Sequence, residues 1–220
     1  MYLKDAIMER KSIRAFQNQE ISKETLEKVM ALAVRSISTN NAQPWELFIA
    51  TGSVLDKLRE TVLDAYDKKD TPEYLDPPIY GVYKERAKQV GKQLFESMMI
   101  KRDDKGKRAW WDRRGYAFFN APAVVFICMD KSLDQRYRFD LGCITQNICL
   151  SALEYHLGTC VENQGITFQK GIRRLLNIPD SKNIEVCIAI GYPDQFFPAN
   201  HVISKRVPLE VTVKWFGFKD

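Results

Sequence analysis

Cationic and hydroxyl side chains stand close together near the start of the chain. The segment RKSIR contains three cations and one hydroxyl, at Arg10, Lys11, Ser12 and Arg14. A guanidinium group can donate two parallel hydrogen bonds to a phosphate, and a serine hydroxyl adds a further donor. These residue types at this spacing indicate an anion site, although a solvated helix end would have the same composition.

Two further polar segments could contribute to such a site. STNNAQPW, at residues 38–45, supplies amide and hydroxyl groups that can recognise the polar edge of a planar heterocycle; the alternative is a hydrophilic turn whose bend is set by Pro44. SKRVP, at residues 204–208, contains Lys205 and Arg206. These two cations could complete an anion site, or they could be surface charge at the start of a C-terminal arm.

Several familiar catalytic motifs are absent from the sequence. There is no G-x-G-x-x-G after a strand, no G-x-x-x-x-G-K-[ST] and no G-x-S-x-G. The two histidines, His156 and His201, have no evident nucleophile paired with them. We therefore expect a bound cofactor to carry the chemistry, with the protein supplying position and electrostatics.

Composition argues against several other classes of protein. The chain has 220 residues, of which 45% are hydrophobic, and this suits one domain over residues 1–220. No apolar run approaches the roughly 20 residues that span a membrane, and the N-terminus lacks the apolar region of a secretory signal, so we expect a cytoplasmic protein without a membrane partner. Five cysteines without a C-x-x-C pair, and only two histidines, argue against a metal site and indicate buried, reduced thiols.

The charge balance argues against a nucleic-acid partner. The net charge is +5, and the one basic cluster, at residues 101–114, contains three aspartates. A surface that binds nucleic acid would be more uniformly basic. A mild positive bias fits an anionic small molecule better.

The hydrophobic pattern predicts the elements that position these segments. Helices are predicted at 3–10, 23–36 (with Ser22 as N-cap), from Gly52 onward, and at 84–105, 140–156 and 171–180. Strands are predicted at 45–50, 121–130 and 185–194. Residues 71–118 form a lid-like excursion from the core, beginning with a loop at 71–83, and residues 205–220 form a C-terminal arm.

The helix predicted at 140–156 is apolar almost all round, and Gly158 is expected near its C′ position. Such a helix must be covered on every side. In a domain of this size a second subunit could provide the cover. Gln146 and Asn147 lie inside this helix and need hydrogen-bond partners.

Taken together and in this order, the segments resemble the FMN-dependent nitroreductase family over nearly the whole chain. RKSIR resembles the family's R-x-S-x-R, ISTNNAQPW its P-S-x-x-N-x-Q-P-W, and SKRVPLE its phosphate-contacting arginine segment. FDLGCITQNICLSALEYHLGTC resembles the family's interface helix, and LLNIPD and IAIGYPD resemble its LGIP and GYPD elements. The stretch from PPIY to WWDRRGYAFFNAPAVVFICMD looks most like the nitrobenzoate-reductase branch.

The resemblance implies an α+β fold, with a mixed, mainly antiparallel sheet flanked by helices, in an intertwined homodimer that holds FMN at the subunit interface. It implies reduction of nitroaromatics or quinone-like acceptors with NADH or NADPH, by ping-pong hydride transfer through flavin N5, with no covalent catalyst among the side chains. The implied phosphate contacts are Arg10, Ser12 and Arg206, next to Lys205. Lys11 and Arg14 are implied near the ribityl chain and the pyrimidine edge.

Further positions follow from the same resemblance. Ser38, Thr39 and Asn41 match the stretch contributed by the other subunit, and Gln146 faces either the flavin or the interface. Glu162 and Asn163 match the backbone donors to flavin N5 and O4, although VENQG replaces a shorter PQG-like run and Ile37 replaces the usual proline before Ser38. An aromatic set could shape the acceptor pocket by stacking, or could pack within the excursion: Tyr80, Trp110, Trp111 and Phe118.

Other activities are compatible with the same fold. Flavin-dependent dehalogenases and flavin-fragmenting enzymes resemble this family, and a dehalogenase would carry Glu, Tyr and Lys in its lid. Glu73, Tyr74 and Lys84 occur here at a spacing too common to be specific. A non-catalytic FMN-binding protein is a further alternative, which would bind FMN without accepting electrons from NADH or NADPH.

Overall fold

Four strands form one antiparallel sheet at the centre of the protein. The structure is a computed structural model that describes residues 1–218. The strands are β1 (Trp45–Thr51), β2 (Ala123–Asp130), β3 (Gly158–Glu162) and β4 (Lys182–Gly191), and they lie in the order β1-β2-β4-β3. The helices are α1 (Leu3–Glu9), α2 (Lys23–Ala33), α3 (Gly52–Lys68), α4 (Gly81–Ser97), α5 (Lys105–Tyr116), α6 (Arg138–Glu154), α7 (Gln169–Leu176) and α8 (Leu209–Thr212).

Helices cover both faces of the sheet, which confirms the predicted α+β class. On one face, Val29 of α2 and Ile148 of α6 pack against Val125 and its neighbours. On the other face, Leu58 of α3 packs against Phe126 together with α7. Strand β2 is buried on both sides, as its continuous apolar sequence predicts. Burial of each large apolar side chain contributes about 1.5–3 kcal/mol to this packing.

Local signals set the start of α2. The Ser22 hydroxyl accepts a hydrogen bond from the backbone N–H of Thr25 at 3.1 Å, which confirms the predicted N-cap. Ile21 and Leu26 are both buried on the same cluster, as a hydrophobic staple requires. The helix ends at Ala33, three residues before the predicted end at 36.

The end of α6 differs from the prediction. His156, with φ of 58°, is the left-handed residue after the helix, and Gly158 is the first residue of β3. A Cβ atom at Gly158 would lie 2.4 Å from Cγ1 of Ile13. The glycine is therefore required by the close approach of a neighbouring segment, and not by the helix terminus.

The excursion contains two helices where one was predicted at 84–105. Helix α4 ends at Ser97, and Met99 then takes a left-handed conformation. Helix α5 follows from Lys105 and docks on the body of the protein: Arg113 pairs with Asp67, and the Gln164 side chain donates to Asp112. Only Leu94 of α4 is buried.

Within the described residues, the C-terminal arm has no regular helix or strand except the short α8. Residues 219–220 of the predicted arm lie outside the described residues. All five cysteines are free thiols, and four of them are buried. Within residues 1–218, no helix combines the length and the apolar character needed to cross a membrane. The same residues contain no cluster of three His, Cys, Asp or Glu side chains that could hold a metal ion.

Candidate cofactor site

The segment RKSIR lies along the free edge of β3. Ser12 forms a parallel bridge with Thr159, and the N–H of Ile13 donates to the Thr159 carbonyl at 2.9 Å. Ile13 and Ala15 are buried, so the alternation of a strand directs Ser12 and Arg14 to the opposite side. The sheet therefore fixes the spacing and direction of the cationic side chains.

Two distant side chains hold the backbone of this segment. Oδ1 of Asn200 accepts from the N–H of Arg14 at 2.6 Å, and its Nδ2 donates to the Ala15 carbonyl at 2.8 Å. The Arg14 carbonyl accepts from Nη2 of Arg114 at 2.7 Å. Asn200 is 3% exposed, and sequence reasoning missed both partners because they lie far away along the chain.

A cavity of about 440 Å³ opens beside the segment. Its lining includes Arg10 and Lys11, together with Thr159 and Asn200. Within residues 1–218, Arg10, Lys11 and Arg14 have no carboxylate within 4.0 Å. Two cations, Arg10 and Lys11, therefore line the cavity and fit an anionic group such as the phosphate of FMN. Ser12 and Arg14 belong to the same segment but are not among the residues that line this cavity.

The loop at residues 38–43 has an unusual backbone. Asn40, Asn41 and Gln43 all have positive φ, at 51°, 58° and 46°. Residues other than glycine adopt positive φ only at a cost in conformational free energy, and residues with such backbones concentrate at functional sites. The segment is thus held in one conformation with its amide groups displayed.

Asp140 anchors that loop to the first turn of α6. Its carboxylate accepts from the N–H of Thr39 at 3.0 Å and from the Thr39 hydroxyl at 3.2 Å. The Ser38 hydroxyl accepts from the N–H of Gln43 at 3.1 Å. Asp140 is 1% exposed, and its role was not predicted because its partner lies 101 residues away.

The single chain does not bring this loop to the cavity. Asp140 stands at the start of α6, whereas Leu153 and His156, at the other end, line the cavity. A helix of 17 residues is about 25 Å long. Within one chain, Ser38, Thr39 and Asn41 are therefore about one helix length from Arg10.

Lys205 and Arg206 also lie outside this cavity. They line a second cavity of about 410 Å³ together with Arg86 of α4. Nη1 of Arg206 donates to the Ser204 carbonyl at 2.9 Å and to its hydroxyl at 2.7 Å. The two cavities adjoin along the arm, since Ile203 lines the first and Ser204 lines the second.

The Glu162 side chain turns into the core at the end of β3. Its carboxyl contacts the Cys187 thiol at 3.5 Å and the N–H of Gly165 at 3.3 Å, and burial raises its pKa to about 8. The neighbouring Asn163 donates through Nδ2 to Asp76 of the excursion at 2.7 Å. Both side chains are therefore engaged within the chain, and the role that the resemblance implies would fall to the backbone N–H groups of the two residues.

Of the four aromatic residues predicted to shape the acceptor pocket, some lie at the surface and one lies in the core. Tyr80 and Trp110 are 70% and 46% exposed, and the Trp111 ring lies nearly parallel to Phe197, at 7° and 6.5 Å. Phe118 is fully buried against Phe126 and occupies a core position.

Gln146 is exposed on α6, in a groove of about 540 Å³ that also contains Ile37 and Phe139. Both of these apolar side chains are 71% exposed. Asn147 donates to the Ala33 carbonyl at 3.5 Å, so it finds a partner within the chain.

The family of the chain follows from its match to known proteins. The model of the Nitroreductase family matches residues 7–192, and the chain belongs to this family. A nitrobenzene nitroreductase of Ectopseudomonas oleovorans is 28% identical over 216 residues, which cover 95% of this chain and 94% of that protein. A 4-nitrobenzoate reductase of Nocardioides sp. (strain LMS-CY) is 29% identical over 225 residues, covering 96% and 90%.

Solved structures agree with the family. The FMN and NADPH-dependent nitroreductase NfnB from sphigopyxis sp. strain HMH superposes with a TM-score of 0.94 at 26% identity, covering 99% of this chain and all of that one. The FMN-dependent nitroreductase NfnB from Mycobacterium smegmatis, in complex with NADPH, gives a TM-score of 0.92 at 24% identity, covering 97% of each chain.

Proposed function

We propose that this protein is an FMN-dependent NAD(P)H oxidoreductase that reduces nitroaromatic or quinone-like acceptors. The observation that carries the proposal is the pair of cations Arg10 and Lys11, which line a cavity at the sheet edge and have no carboxylate within 4.0 Å among residues 1–218. The names of the relatives support both the cofactor and the substrate class.

Different residues of the RKSIR segment bind different parts of FMN. Arg10 and the Ser12 hydroxyl bind the phosphate, and the C-terminal arm adds Lys205 and Arg206 from the adjoining cavity. Lys11 and Arg14 lie toward the pyrimidine edge, where a cation stabilises negative charge on the ring system. Backbone N–H groups at Glu162 and Asn163 face the opposite edge.

The complete site requires two chains. Because α6 separates the loop at 38–43 from the cavity in one chain, a two-fold axis that pairs two α6 helices antiparallel would place the loop of each chain beside the cavity of the other. The exposed groove that contains Ile37, Phe139 and Gln146 lies on the helix face that this pairing covers. The site is thus proposed to form at the interface of a homodimer.

When bound, FMN supplies the two-electron redox chemistry that connects a nicotinamide donor to the acceptor. The donor and the acceptor bind in turn, as ping-pong kinetics requires, next to exposed rings of the excursion. Tyr80 and Trp110 offer exposed stacking surfaces to a planar acceptor, and the half-buried Trp111, whose ring lies parallel to Phe197, lies beside Trp110. Phe118 does not face the acceptor; it packs against Phe126 in the core, next to the end of α5.

An anaerobic visible spectrum of the purified protein tests the proposal. We expect flavin absorption that bleaches on addition of NADH or NADPH and returns when 4-nitrobenzoate is added. A protein that neither carries nor takes up FMN would contradict the cofactor. Flavin that neither nicotinamide bleaches would leave FMN binding intact and exclude the reductase activity.

Substitution tests the phosphate contact. Arg10→Ala should raise the Kd for FMN about ten- to a hundredfold, as expected when a charge-assisted hydrogen bond is lost. Arg102→Ala, which removes an exposed cation outside the site, should leave the Kd unchanged. An unchanged Kd in both variants would exclude Arg10 from the phosphate site.

A further inference from the structure

Arg114 of helix α5 has an unusual environment. Its guanidinium lies 5.2 Å from the centre of the Trp110 ring and 4.7 Å from that of Phe197. Within residues 1–218 its one hydrogen bond goes to the Arg14 carbonyl, at 2.7 Å, and its Nε is buried without a partner. The half-buried cation is therefore held by two aromatic faces and directed at one backbone group.

The carbonyl that Arg114 contacts belongs to the RKSIR segment. On the opposite side of the same residue, the N–H of Arg14 donates to Asn200. Arg14 is thus held at its carbonyl by the excursion and at its N–H by the turn at residues 198–201. A hydrogen bond from a charged donor is stronger than one between neutral groups, and partial burial strengthens it further.

Helix α5 is itself firmly attached to the rest of the protein. Asp112 accepts from the Gln164 side chain at 2.9 Å, and Arg113 makes two contacts with Asp67 at 3.2 and 2.8 Å. Arg114 is the residue of this helix that reaches the RKSIR segment. A displacement of α5 would therefore pull on the backbone from which Ser12 and Arg14 project.

We propose that Arg114 is a positioning residue that couples the packing of the excursion to the affinity for FMN. The inference rests on the proposed function, because it requires FMN to bind at the RKSIR segment. By fixing the Arg14 carbonyl, Arg114 sets the backbone geometry of the cations that hold the cofactor. Coupling of this kind is reciprocal, so bound FMN also strengthens the docking of α5.

The adjacent arginine provides a matched control. Arg114→Met keeps a long apolar side chain between the two rings and removes the donor. Arg113→Met removes an arginine of the same helix whose ion pair with Asp67 is about half exposed, so its loss should weaken the docking of α5 only slightly. We expect the Kd for FMN, measured by titration of the FMN-free protein, to rise about tenfold in Arg114→Met and less than twofold in Arg113→Met.

A second measurement separates positioning from a general loss of stability. Amide hydrogen exchange in α5 should slow when FMN binds to the wild-type protein, and this protection should be lost in Arg114→Met measured at saturating FMN. If Arg114→Met does not fold, Arg114→Lys, which keeps a single charged donor without the planar fork, should give an intermediate Kd.

The outcomes distinguish the two levels of inference. A wild-type protein that does not bind FMN would refute the proposed function, and the coupling with it. FMN binding with equal Kd values in the wild-type, Arg114→Met and Arg113→Met proteins would overturn the coupling alone. A higher Kd for FMN in Arg114→Met would also overturn the coupling if FMN still protected the amides of α5 from exchange as it does in the wild-type protein.

Discussion

Replacement of Glu162 by glutamine should change how the stability of the protein depends on pH. The Glu162 carboxyl is 8% exposed and has a thiol and one N–H as its partners, so burial holds its pKa at about 8 instead of the ordinary 4.5. In the unfolded chain the carboxyl ionises above about pH 4.5. In the folded chain it keeps its proton until about pH 8.

The sign and size of the effect follow from proton linkage. The folded state binds more protons than the unfolded state between these two pKa values, so the contribution of Glu162 to stability is complete below pH 4.5 and is lost as pH rises toward 8. At about 1.4 kcal/mol for each tenfold change in proton affinity, the full difference is on the order of 5 kcal/mol per chain. The amide introduced by Glu162→Gln does not titrate, and it preserves the shape and the hydrogen-bonding capacity of the protonated acid.

The assay is urea unfolding at pH 5, 6, 7 and 8, at fixed protein concentration and saturating FMN. Relative to wild-type, Glu162→Gln should gain roughly 1 kcal/mol or more for each step in pH. Glu60→Gln, at an exposed position of α3, should show no such trend. A difference between wild-type and Glu162→Gln that stays constant from pH 5 to pH 8 would refute the reasoning, because the carboxyl would then titrate alike in both states.

Three further predictions concern stability measured by urea unfolding. Asp140→Ala should cost about 1–3 kcal/mol, since the N–H and hydroxyl of the exposed Thr39 lose the buried carboxylate that accepts from them; a loss below about 0.5 kcal/mol would show that water replaces it. Ser22→Ala should cost about 1 kcal/mol through loss of the N-cap, and no loss would mean that the cap is dispensable. Gly158→Ala should cost about 1–3 kcal/mol because its Cβ would collide with Ile13, whereas Gly91→Ala, with open space around it, should gain up to about 1 kcal/mol; equal effects at both glycines would contradict the close approach.

The sequence predicted those elements whose signals are local. The cap at Ser22 and the apolar run of β2 depend on neighbouring residues, and both were found as expected. Strand β3 was missed because five residues between a helix and a loop give too short a pattern. Helix α5 was missed as a helix because its polar and aromatic residues follow no helical period.

Residue type and spacing single out RKSIR and STNNAQPW as candidate segments, and their role in a site stays a prediction. The side chains that support them are a different matter. Asp140, Asn200 and Arg114 were not predicted, because each acts on a backbone group about 100 residues or more away in the chain. Buried polar partners of this kind are set by tertiary packing, which a single sequence does not display.

The bridge between Ser12 and Thr159 has a consequence for solubility. Strand β3 stands at the edge of the sheet, and an uncovered edge presents N–H and carbonyl groups that can pair with another molecule. The RKSIR segment occupies part of that edge and adds positive charge beside it. The residues that are proposed to hold the flavin would then also block edge-to-edge aggregation. A protein that lacks residues 1–12 should therefore aggregate, even though its hydrophobic core is nearly complete.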